Sequence, residues 1–415
     1  MARTDPQSRP PRIFLYGMNY APELTGIGRY SGELGAYLAL QGMKVEVVTT
    51  APHYPGWSVR PPHGRFAYSS KILDGARVHR CPMIMRKRMR GIWRLLAPVS
   101  FALFSAPLAF WRILRSRPDT VLVVEPTLAI VPAAWLGARL TGARMVLHVQ
   151  DLEVDVAFAV GHISGGLARR FAMTIERFLL AGFDHIVTIS NEMRSRIQDK
   201  GVAESRISLV RNWVDARKIV PLPRHPNSFR QELGLTGDHF VVLYAGNIGI
   251  KQALDIMLDA AVQLADQPNI VFVIAGEGPE KAPLQTRYGH LPNVRYLPLQ
   301  PEERLCELLN FADLHALPQN ASAADLVLPS KLGGMMASGR DMVICADPGT
   351  EIHTFLSGSA IVVPSGDSKA MADAIRTRAA DPAPLRIAPN PLVFMLDTET
   401  NLAKFAGLLA PAAKS

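Results

Sequence analysis

Cysteine is scarce in this chain. Its 415 residues contain only Cys81, Cys306 and Cys345, and no two of them form a CxxC pair. Cysteines so far apart argue against a disulfide framework and against a structural zinc site. Free cysteines are typical of the reducing cytosol, and we therefore expect a cytoplasmic protein.

Acidic residues are outnumbered by basic ones, with 36 Asp and Glu against 45 Lys and Arg, which gives a formal net charge of +9. A basic chain favours acidic partners such as nucleoside diphosphates, anionic lipid headgroups or nucleic acid. The basic residues do not alternate with aromatic residues along strands, so we predict no nucleic-acid partner. Hydrophobic residues make up 48% of the chain, which is typical of a globular protein, and the length suggests about two domains.

Long hydrophobic runs are also few. The run nearest the N-terminus, Ile13 to Tyr16, is too short for a signal peptide. The 17 uncharged residues from Leu95 to Trp111 include Pro98 and Pro107, whereas a membrane-spanning helix needs about 20 apolar residues. Two interpretations stay open: a buried helix, or a face that lies on anionic lipid. We favour a peripheral protein on the inner face of the plasma membrane, because a basic cluster precedes the run: Arg86, Lys87, Arg88 and Arg90.

Short apolar runs alternate with helix-like segments throughout the chain. This alternation predicts an α/β fold of parallel, doubly wound sheets, in which ligands bind at the carboxyl ends of the strands. The proline-rich segment Pro221 to Pro226 interrupts the pattern and is predicted to link two such domains. The predicted strands include Arg12–Tyr16, Lys44–Thr50, Thr120–Val124, Arg144–Val149, Phe240–Ala245, Ile270–Ala275, Leu314–Ala316 and Met342–Ala346.

A loop at the end of the first predicted strand has residues suited to an anion. Gly26 and Gly28 follow that strand and open a predicted helix, where the backbone can approach a ligand closely and the helix N-terminus favours negative charge. The spacing is not GxGxxG, so dinucleotide binding is not indicated. The alternative is an ordinary strand-to-helix loop.

Three further loops in the second half suit a phosphate site. Gly246, Asn247 and Lys251 follow the strand Phe240–Ala245, where glycines and a lysine suit phosphate oxygens. Lys331 would place a second cation near a diphosphate. The alternative for both lysines is a solvated surface position. The remaining candidates for this ligand site are Gly276, Glu277 and Ser330.

As a set, these segments resemble glycosyltransferase family 4, the retaining enzymes of GT-B fold, and within it the colanic-acid and exopolysaccharide biosynthesis subgroup. The segments are NYAPELTGIGRYSGEL, VTIS-NEMRSRI, RNWVD, YAGNIGIKQALD and LPSKLGGMMASG. The resemblance implies two Rossmann-like domains facing a cleft. It implies an acceptor domain at 1–220, a nucleotide-sugar domain at 221–395, and a C-terminal helix, 396–415, that crosses back to the first domain.

Two departures from the family pattern concern the donor. Lys251 matches the lysine of the family's phosphate-binding element, but the arginine of that element is Asn247 here. The Glu-x7-Glu pair of the family falls at Leu326 and Gly334, and there is no Glu between Leu308 and Thr350. The ribose contact of the second family Glu must therefore be replaced or lost. Asp325 is our candidate substitute near the sugar.

On the acceptor side, the segment from His148 to Asp155 follows a predicted strand. Many family members have His directly before Asp151, and here that residue is Gln150. His148, on the same strand face, and Asp151 are candidates to bind the acceptor or orient a base. A core histidine is the alternative for His148. Glu153-Val154-Asp155 is the nearest sequence to a DxD metal site, and we expect no metal, because lysines and helix N-termini can neutralise a diphosphate in a GT-B site.

The resemblance therefore implies a retaining glycosyltransferase that moves a sugar from a nucleoside diphosphate sugar to a polyprenyl-linked saccharide, with no cofactor. Two alternatives stay open. One is a non-catalytic subunit that binds a sugar nucleotide, which the missing family glutamates permit, and the other is a sugar-nucleotide epimerase of GT-B shape.

Overall fold

The computed structural model of the chain consists of two compact units. Unit 1 comprises Met1–Asn212 together with Thr400–Ser415, and unit 2 comprises Trp213–Glu399. The structure describes residues 9–23, 26–53, 58–59, 63–64, 66–86, 92–152, 166–215, 217–319, 328–381 and 388–410. Within these ranges, only the backbone is described at 92–95, 166–169 and 171.

Unit 1, as far as the structure describes it, is built on an eight-stranded sheet with the order β3-β4-β2-β1-β5-β6-β7-β8. All neighbours pair in parallel except the edge hairpin β3–β4. The central strands are almost fully buried and rich in β-branched residues, as expected for a parallel sheet covered on both faces. The strands are β1 (Arg12–Gly17), β2 (Lys44–Thr50), β3 (Ser69–Leu73), β4 (Ala76–Cys81), β5 (Thr120–Glu125), β6 (Arg144–Val149), β7 (His185–Thr188) and β8 (Ile207–Leu209).

The helices of unit 1 alternate with these strands, and two of them show why they begin or end where they do. The Ser190 hydroxyl caps the helix that begins at Asn191 by accepting from the Met193 N–H at 3.0 Å. The helix that ends at Thr141 is followed by Gly142 in the left-handed conformation. The described helices are α1 (Gly26–Leu40), α2 (Ile92–Ser116), α3 (Val131–Thr141), α4 (Gly166–Ala181) and α5 (Asn191–Asp199), with 3₁₀ turns at Leu128–Ile130 and Glu204–Arg206.

Unit 2 has a six-stranded, wholly parallel sheet in its described part, with the order β11-β10-β9-β12-β13-β14. Its strands are β9 (Phe240–Ala245), β10 (Ile270–Ala275), β11 (Val294–Leu297), β12 (Leu314–Leu317), β13 (Asp341–Cys345) and β14 (Ile361–Val363). Its described helices are α6 (Ser228–Glu232), α7 (Leu254–Gln263), α8 (Lys281–Tyr288), α9 (Leu305–Phe311), α10 (Leu332–Ala337), α11 (Glu351–Leu356) and α12 (Ser368–Ala380), with 3₁₀ turns at Ile250–Gln252, Glu302–Arg304 and Pro391–Leu396.

The last helix, α13 (Thr398–Leu409), packs on unit 1. The Thr120 hydroxyl donates to the Leu409 carbonyl at 2.9 Å, and Arg144 donates to the Leu408 carbonyl at 2.7 Å. The ring of Phe405 lies edge-on to His148, with centroids 4.7 Å apart. These contacts confirm that the C-terminal helix returns to the first domain, and the two Rossmann-like α/β units confirm the predicted fold class.

The boundary between the units differs from the sequence-based one. The division falls between Asn212 and Trp213 rather than after residue 220, and Pro221 to Pro226 belongs to unit 2. The Leu222 N–H donates to the Asn310 side chain at 2.7 Å, and the Arg224 guanidinium lies 2.5 Å from an Asp313 carboxylate oxygen. Proline-rich composition suggested a linker, but these contacts fix the segment to the second core.

Candidate donor site and lipid-facing surface

The strand order of unit 2 reverses at β9, which pairs with β10 on one side and with β12 on the other. In open α/β sheets the crevice for a ligand forms at this switch point, outside the carboxyl ends of the strands. Gly246 directly follows β9, and Lys331 lies on the segment that returns from β12. The topology therefore brings two of the predicted phosphate-binding segments to one place.

Lys331 is held at this place by Tyr244, the last residue but one of β9. Its Nζ donates to the Tyr244 phenol oxygen at 2.5 Å and lies 3.9 Å from the centroid of the same ring. The phenol in turn donates to the Asn247 carbonyl at 2.6 Å. Burial lowers the pKa of Lys331 to about 7. Among the described residues no carboxylate pairs with Lys331, so the amine is available to an anionic ligand.

The loops after β9 and β10 interlock through their backbones. The Gly246 N–H donates to Ala275 and the Ile248 N–H donates to Glu277, each at 2.9 Å. A Cβ atom at Gly276 would lie 1.9 Å from the Gly246 carbonyl oxygen. The missing side chain of Gly276 therefore lets the two loops pack, and its place in the donor pocket stays a prediction. Glu277 pairs with Lys281 at 2.6 Å.

Lys251 lies in the single 3₁₀ turn Ile250–Gln252 and is exposed. Within the described part of the chain it has no ion-pair partner. Asn247, which stands where the family has arginine, approaches the Gln252 amide oxygen at 3.5 Å through its own side-chain nitrogen. The turn ends at Ala253, which adopts a left-handed backbone with φ 45°. Of the predicted donor residues, Asn247, Lys251 and Gly246 thus share one loop.

The position of the second family glutamate cannot hold a ligand-facing side chain in this fold. Gly334 is buried in α10, and a Cβ atom there would lie 3.0 Å from Leu309 Cδ1. A side chain at this position would therefore point into the core. Ser330, immediately before Lys331, is exposed. The proposed substitute, Asp325, lies outside the described residues, as do Leu326 and Glu153 to Asp155.

In unit 1 the loop after β1 contains a buried glutamate, Glu23. The Glu23 carboxylate accepts from the Asn19 side chain at 2.9 Å and from the His53 backbone N–H at 3.0 Å, and the His53 ring nitrogen Nδ1 lies 3.4 Å away. A Cβ atom at Gly28 would lie 2.3 Å from Glu23 Oε2. We predicted Gly28 to make room for a phosphate, but it makes room for Glu23. Gly26, exposed with φ 64°, lies at the start of α1 as predicted.

Glu23 and His53 are residues that the sequence analysis missed. Both are buried, and burial lowers the pKa of His53, although the Glu23 carboxylate opposes that shift. The available signals were a histidine three residues after β2 and a glutamate in the loop after β1, because the carboxyl ends of neighbouring parallel strands meet at one edge. The pair places an oriented imidazole at the ligand edge of unit 1.

The two predicted acceptor residues have different surroundings. Asp151 is half-buried just beyond β6. His148 is buried within β6, where its Nε2 lies 3.2 Å from the Gln150 side-chain nitrogen and its ring packs on Phe405. Burial lowers the pKa of His148 to about 3. This placement favours a core histidine over the catalytic role that we considered for it.

Helix α2 presents an apolar face to solvent. Its inward stripe repeats every four residues, from Ala97 through Phe101 to Ile113. Pro98 and Pro107 lie inside the helix and do not end it. The segment Leu96–Ser116 is long and apolar enough to cross a membrane by length and composition, and 39% of it is buried. Its exposed large side chains are Leu96, Val99, Leu103, Phe104 and Trp111.

Helix α3 continues this apolar face. It packs closely on α2, since a Cβ atom at Gly137 would lie 3.0 Å from Ile113. Cations stack on tryptophans of both helices, with the Arg115 guanidinium 5.9 Å from the Trp111 ring centroid and Arg139 5.5 Å from that of Trp135. The exposed residues of α3 are Trp135, Leu136 and Leu140. We call the exposed residues of α2 and α3 the α2–α3 face.

Comparisons with known proteins agree with this architecture. Residues 25–213 match the glycosyl transferase 4-like domain, and residues 239–381 match the glycosyl transferases group 1 domain. The putative colanic acid biosynthesis glycosyl transferase WcaI of Escherichia coli K12 is 37% identical over 405 residues, covering 95% of this chain and 98% of that protein.

Two solved structures share the fold at low sequence identity. Sucrose-phosphate synthase from Thermosynechococcus elongatus has a TM-score of 0.72 at 15% identity, over 96% of this chain and 98% of its own. Anabaena HepE in complex with UDP-glucose has a TM-score of 0.66 at 14% identity, over 96% and 99%. Fold and site together define a glycosyltransferase of GT-B architecture. The chain belongs to glycosyltransferase family 4, in the group that includes WcaI.

Proposed function

We propose that the protein is a retaining glycosyltransferase that moves a sugar from a nucleoside diphosphate sugar to a polyprenyl-linked saccharide in exopolysaccharide biosynthesis. The observation that carries the donor assignment is the Lys331 amine at the switch point of unit 2, facing no described carboxylate. The name of the E. coli relative supports the polysaccharide context. The UDP-glucose in HepE supports a nucleotide-sugar donor. We propose a cytoplasmic location, as the scarcity of cysteine suggests.

In the proposed reaction the bond between the anomeric carbon and the diphosphate oxygen breaks, and the acceptor hydroxyl oxygen bonds to that carbon. The hydroxyl proton leaves, and the diphosphate departs with added negative charge. Lys331 and Lys251 would stabilise this charge, because cations placed where charge develops lower the barrier. Backbone N–H groups of the loop after β9 would add to the effect. Asp151 is the proposed acceptor-binding residue of unit 1, and Asp325 is the proposed residue near the sugar.

Turnover of a panel of UDP-, GDP- and CMP-sugars tests this function and identifies the base. Hydrolysis or transfer of one donor supports a glycosyltransferase. Binding without turnover, in the presence of a lipid-linked acceptor extract, supports the non-catalytic alternative that the missing glutamates favour. Interconversion of two sugar nucleotides without release of the diphosphate would instead identify an epimerase.

We propose that the reaction needs no metal, because two lysines replace the cation. The described residues contain no group of three or more His, Cys, Asp and Glu that suits a metal. Turnover should therefore continue in excess EDTA. Loss of turnover that Mg²⁺ or Mn²⁺ restores would contradict the assignment of charge neutralisation to lysine.

We also propose that the protein binds the membrane surface through the α2–α3 face, without spanning it. Trp111 and Trp135 would lie at the interface, where aromatic rings are favoured, with Arg115 and Arg139 near lipid phosphates. Arg86, exposed just ahead of α2, and the basic residues that follow it in sequence would add electrostatic attraction. A lipid-linked acceptor makes this location useful, because the acceptor itself stays in the bilayer.

A further inference from the structure

Tyr244 fixes the position of Lys331 in two ways. The phenol oxygen accepts a hydrogen bond from Nζ, and the ring lies beneath the same atom. Tyr244 is fully buried in the core of unit 2, so its own side chain is immobile. A Cβ atom at Gly246 would lie 3.2 Å from Lys331 Nζ, which shows that the amine lies directly over the glycine loop.

We propose that Tyr244 is the positioning residue for Lys331, and that its phenol holds the amine over the loop after β9 where the donor diphosphate binds. This inference rests on the proposed function of the same site. A free lysine side chain has several rotatable bonds, and ordering it on binding costs entropy. Because the phenol also donates to the Asn247 carbonyl, one hydroxyl group fixes the position of both the Lys331 amine and the loop after β9. The site is thus ordered before the donor arrives.

The protonation of Lys331 gives this role a measurable signature. Burial is the cause that lowers the pKa of Lys331 to about 7, and Tyr244 is the titratable side chain in contact with it among the described residues. Burial also raises the pKa of the Tyr244 phenol, which therefore stays protonated. At pH 8 about nine in ten amines are neutral before binding. A bound diphosphate favours the ammonium, so binding takes up a proton.

Calorimetric titration of UDP at pH 8, in two buffers of different ionisation enthalpy, measures this uptake. UDP is already fully ionised at pH 8, since its last phosphate pKa is about 6, so the uptake reports the protein. GDP replaces UDP if the wild type binds only GDP. We expect the wild type to take up as much as about 0.9 proton. Lys331→Met should abolish the uptake.

Tyr244→Phe keeps the ring but removes the hydroxyl group. We expect it to weaken UDP binding several-fold and to move the half-maximal uptake to lower pH, because the phenol oxygen no longer stabilises the ammonium. In the Lys331→Met background the same substitution should weaken binding much less, because only the contact with the Asn247 carbonyl is then left to lose. Tyr288→Phe is the matched control, since the Tyr288 phenol donates to Asp259 on α7 at 2.6 Å, and it should bind and take up protons as the wild type does.

Three results would overturn the inference. One is wild-type affinity and wild-type uptake in Tyr244→Phe. Another is a weakening by Tyr244→Phe that persists in full in the Lys331→Met background, which would show a merely structural role. The last is proton uptake that survives Lys331→Met. Thermal unfolding of each variant verifies that it is folded. Failure of the wild type to bind either nucleotide would instead overturn the proposed function, and this inference with it.

Discussion

At the scale of single residues, the two candidate phosphate-binding lysines differ in their exposure to water. We expect Lys331→Met to weaken binding of the nucleoside diphosphate by about 1.5–3 kcal/mol, because a charge-assisted hydrogen bond in a buried site is lost. Lys251→Met should have a smaller effect, since solvent screens an exposed charge. Calorimetric titration of each variant measures both effects.

Lys369→Met provides the control for these titrations. Lys369 is exposed on α12, where it pairs with Asp373 at 2.8 Å, and it takes no part in the candidate site. This variant should bind the nucleotide as the wild type does. Wild-type affinity in all three variants would show that neither Lys331 nor Lys251 belongs to the donor site.

Two buried histidines should make the stability of the protein depend on acidity. Burial lowers the pKa of His148 in unit 1 and of His315 in unit 2 to about 3. The unfolded chain takes up these protons near pH 6.5, whereas the folded chain does so only near pH 3. The stabilising effect of neutral histidine is therefore complete above pH 6.5 and is lost as the pH falls toward 3. The slope is at most about 1.4 kcal/mol per pH unit for each histidine.

Urea unfolding between pH 7 and pH 4 measures this slope in the wild type and in His315→Gln. The variant loses the contact between His315 and Ser338, so its stability is lower at pH 7. Its stability should nevertheless fall less steeply with acid. Parallel curves for the two proteins would show that His315 does not contribute to the pH dependence.

The loops of the candidate donor site could be proposed from sequence because glycine and lysine at strand ends have a specific chemistry, and their role stays a prediction. The partner of Lys331 was not predictable. Tyr244 is a buried strand residue in an apolar run, and 87 positions separate it from Lys331. Likewise the sequence marked Gly28 as a position of close approach, but it does not say whether a ligand, a carboxylate or another loop approaches.

At the scale of secondary structure elements, the α2–α3 face yields a prediction about membrane binding. Leu103 is 70% exposed at its centre. We expect Leu103→Glu to weaken binding to vesicles that contain anionic lipid, because a carboxylate resists burial among acyl chains and repels the headgroups. Val262→Glu is the matched control, since Val262 is 48% exposed on α7 of unit 2 and should tolerate the change. Sedimentation with vesicles measures the bound fraction.

The basic residues that precede α2 should strengthen membrane binding in addition to the α2–α3 face. Charge reversal at Arg86, Lys87, Arg88 and Arg90 should release the protein from membranes while nucleotide binding is unchanged, at about 1 kcal/mol for each residue near the surface. High salt or alkaline carbonate should release the wild type as well, because salt screens surface charge. Extraction by detergent alone would indicate a spanning helix, and a wild type that never sediments with membranes would leave α2 as ordinary core.

Several strands have the predicted bounds: Lys44–Thr50, Arg144–Val149, Phe240–Ala245, Ile270–Ala275 and the edge strand Val294–Leu297. The hairpin β3–β4 was missed because its strands, SSKIL and ARVHRC, have no continuous apolar run. Strand β14 is wholly apolar, but its three residues are too few to indicate a strand by themselves.

At the scale of the whole molecule, unit 1 depends on a helix that comes last in the chain. Ending the chain at Asp397 would remove α13 and expose the ring of His148 and the Arg144 side chain that now contact it. We expect this truncation to lower the stability of unit 1 by several kcal/mol, chiefly through loss of the buried Phe405. Unit 2, whose cores contain no residue of α13, should be unaffected.

Limited proteolysis with mass spectrometry distinguishes the two effects. Cleavage of the truncated protein should begin within 9–212, with 213–381 protected as in the full chain. Equal protection of both units would mean that α13 is dispensable. Phe405→Ala, in the full chain, should produce a weaker form of the same pattern.

The dependence of unit 1 on α13 also bears on how the protein is made. A ribosome completes the first 212 residues long before it reaches Phe405, so the nascent first unit waits without the helix that packs on β5 and β6 while the second unit emerges and closes. The order of completion is therefore the reverse of the order of synthesis. A chaperone that recognises exposed apolar strands would have its longest opportunity on the first unit.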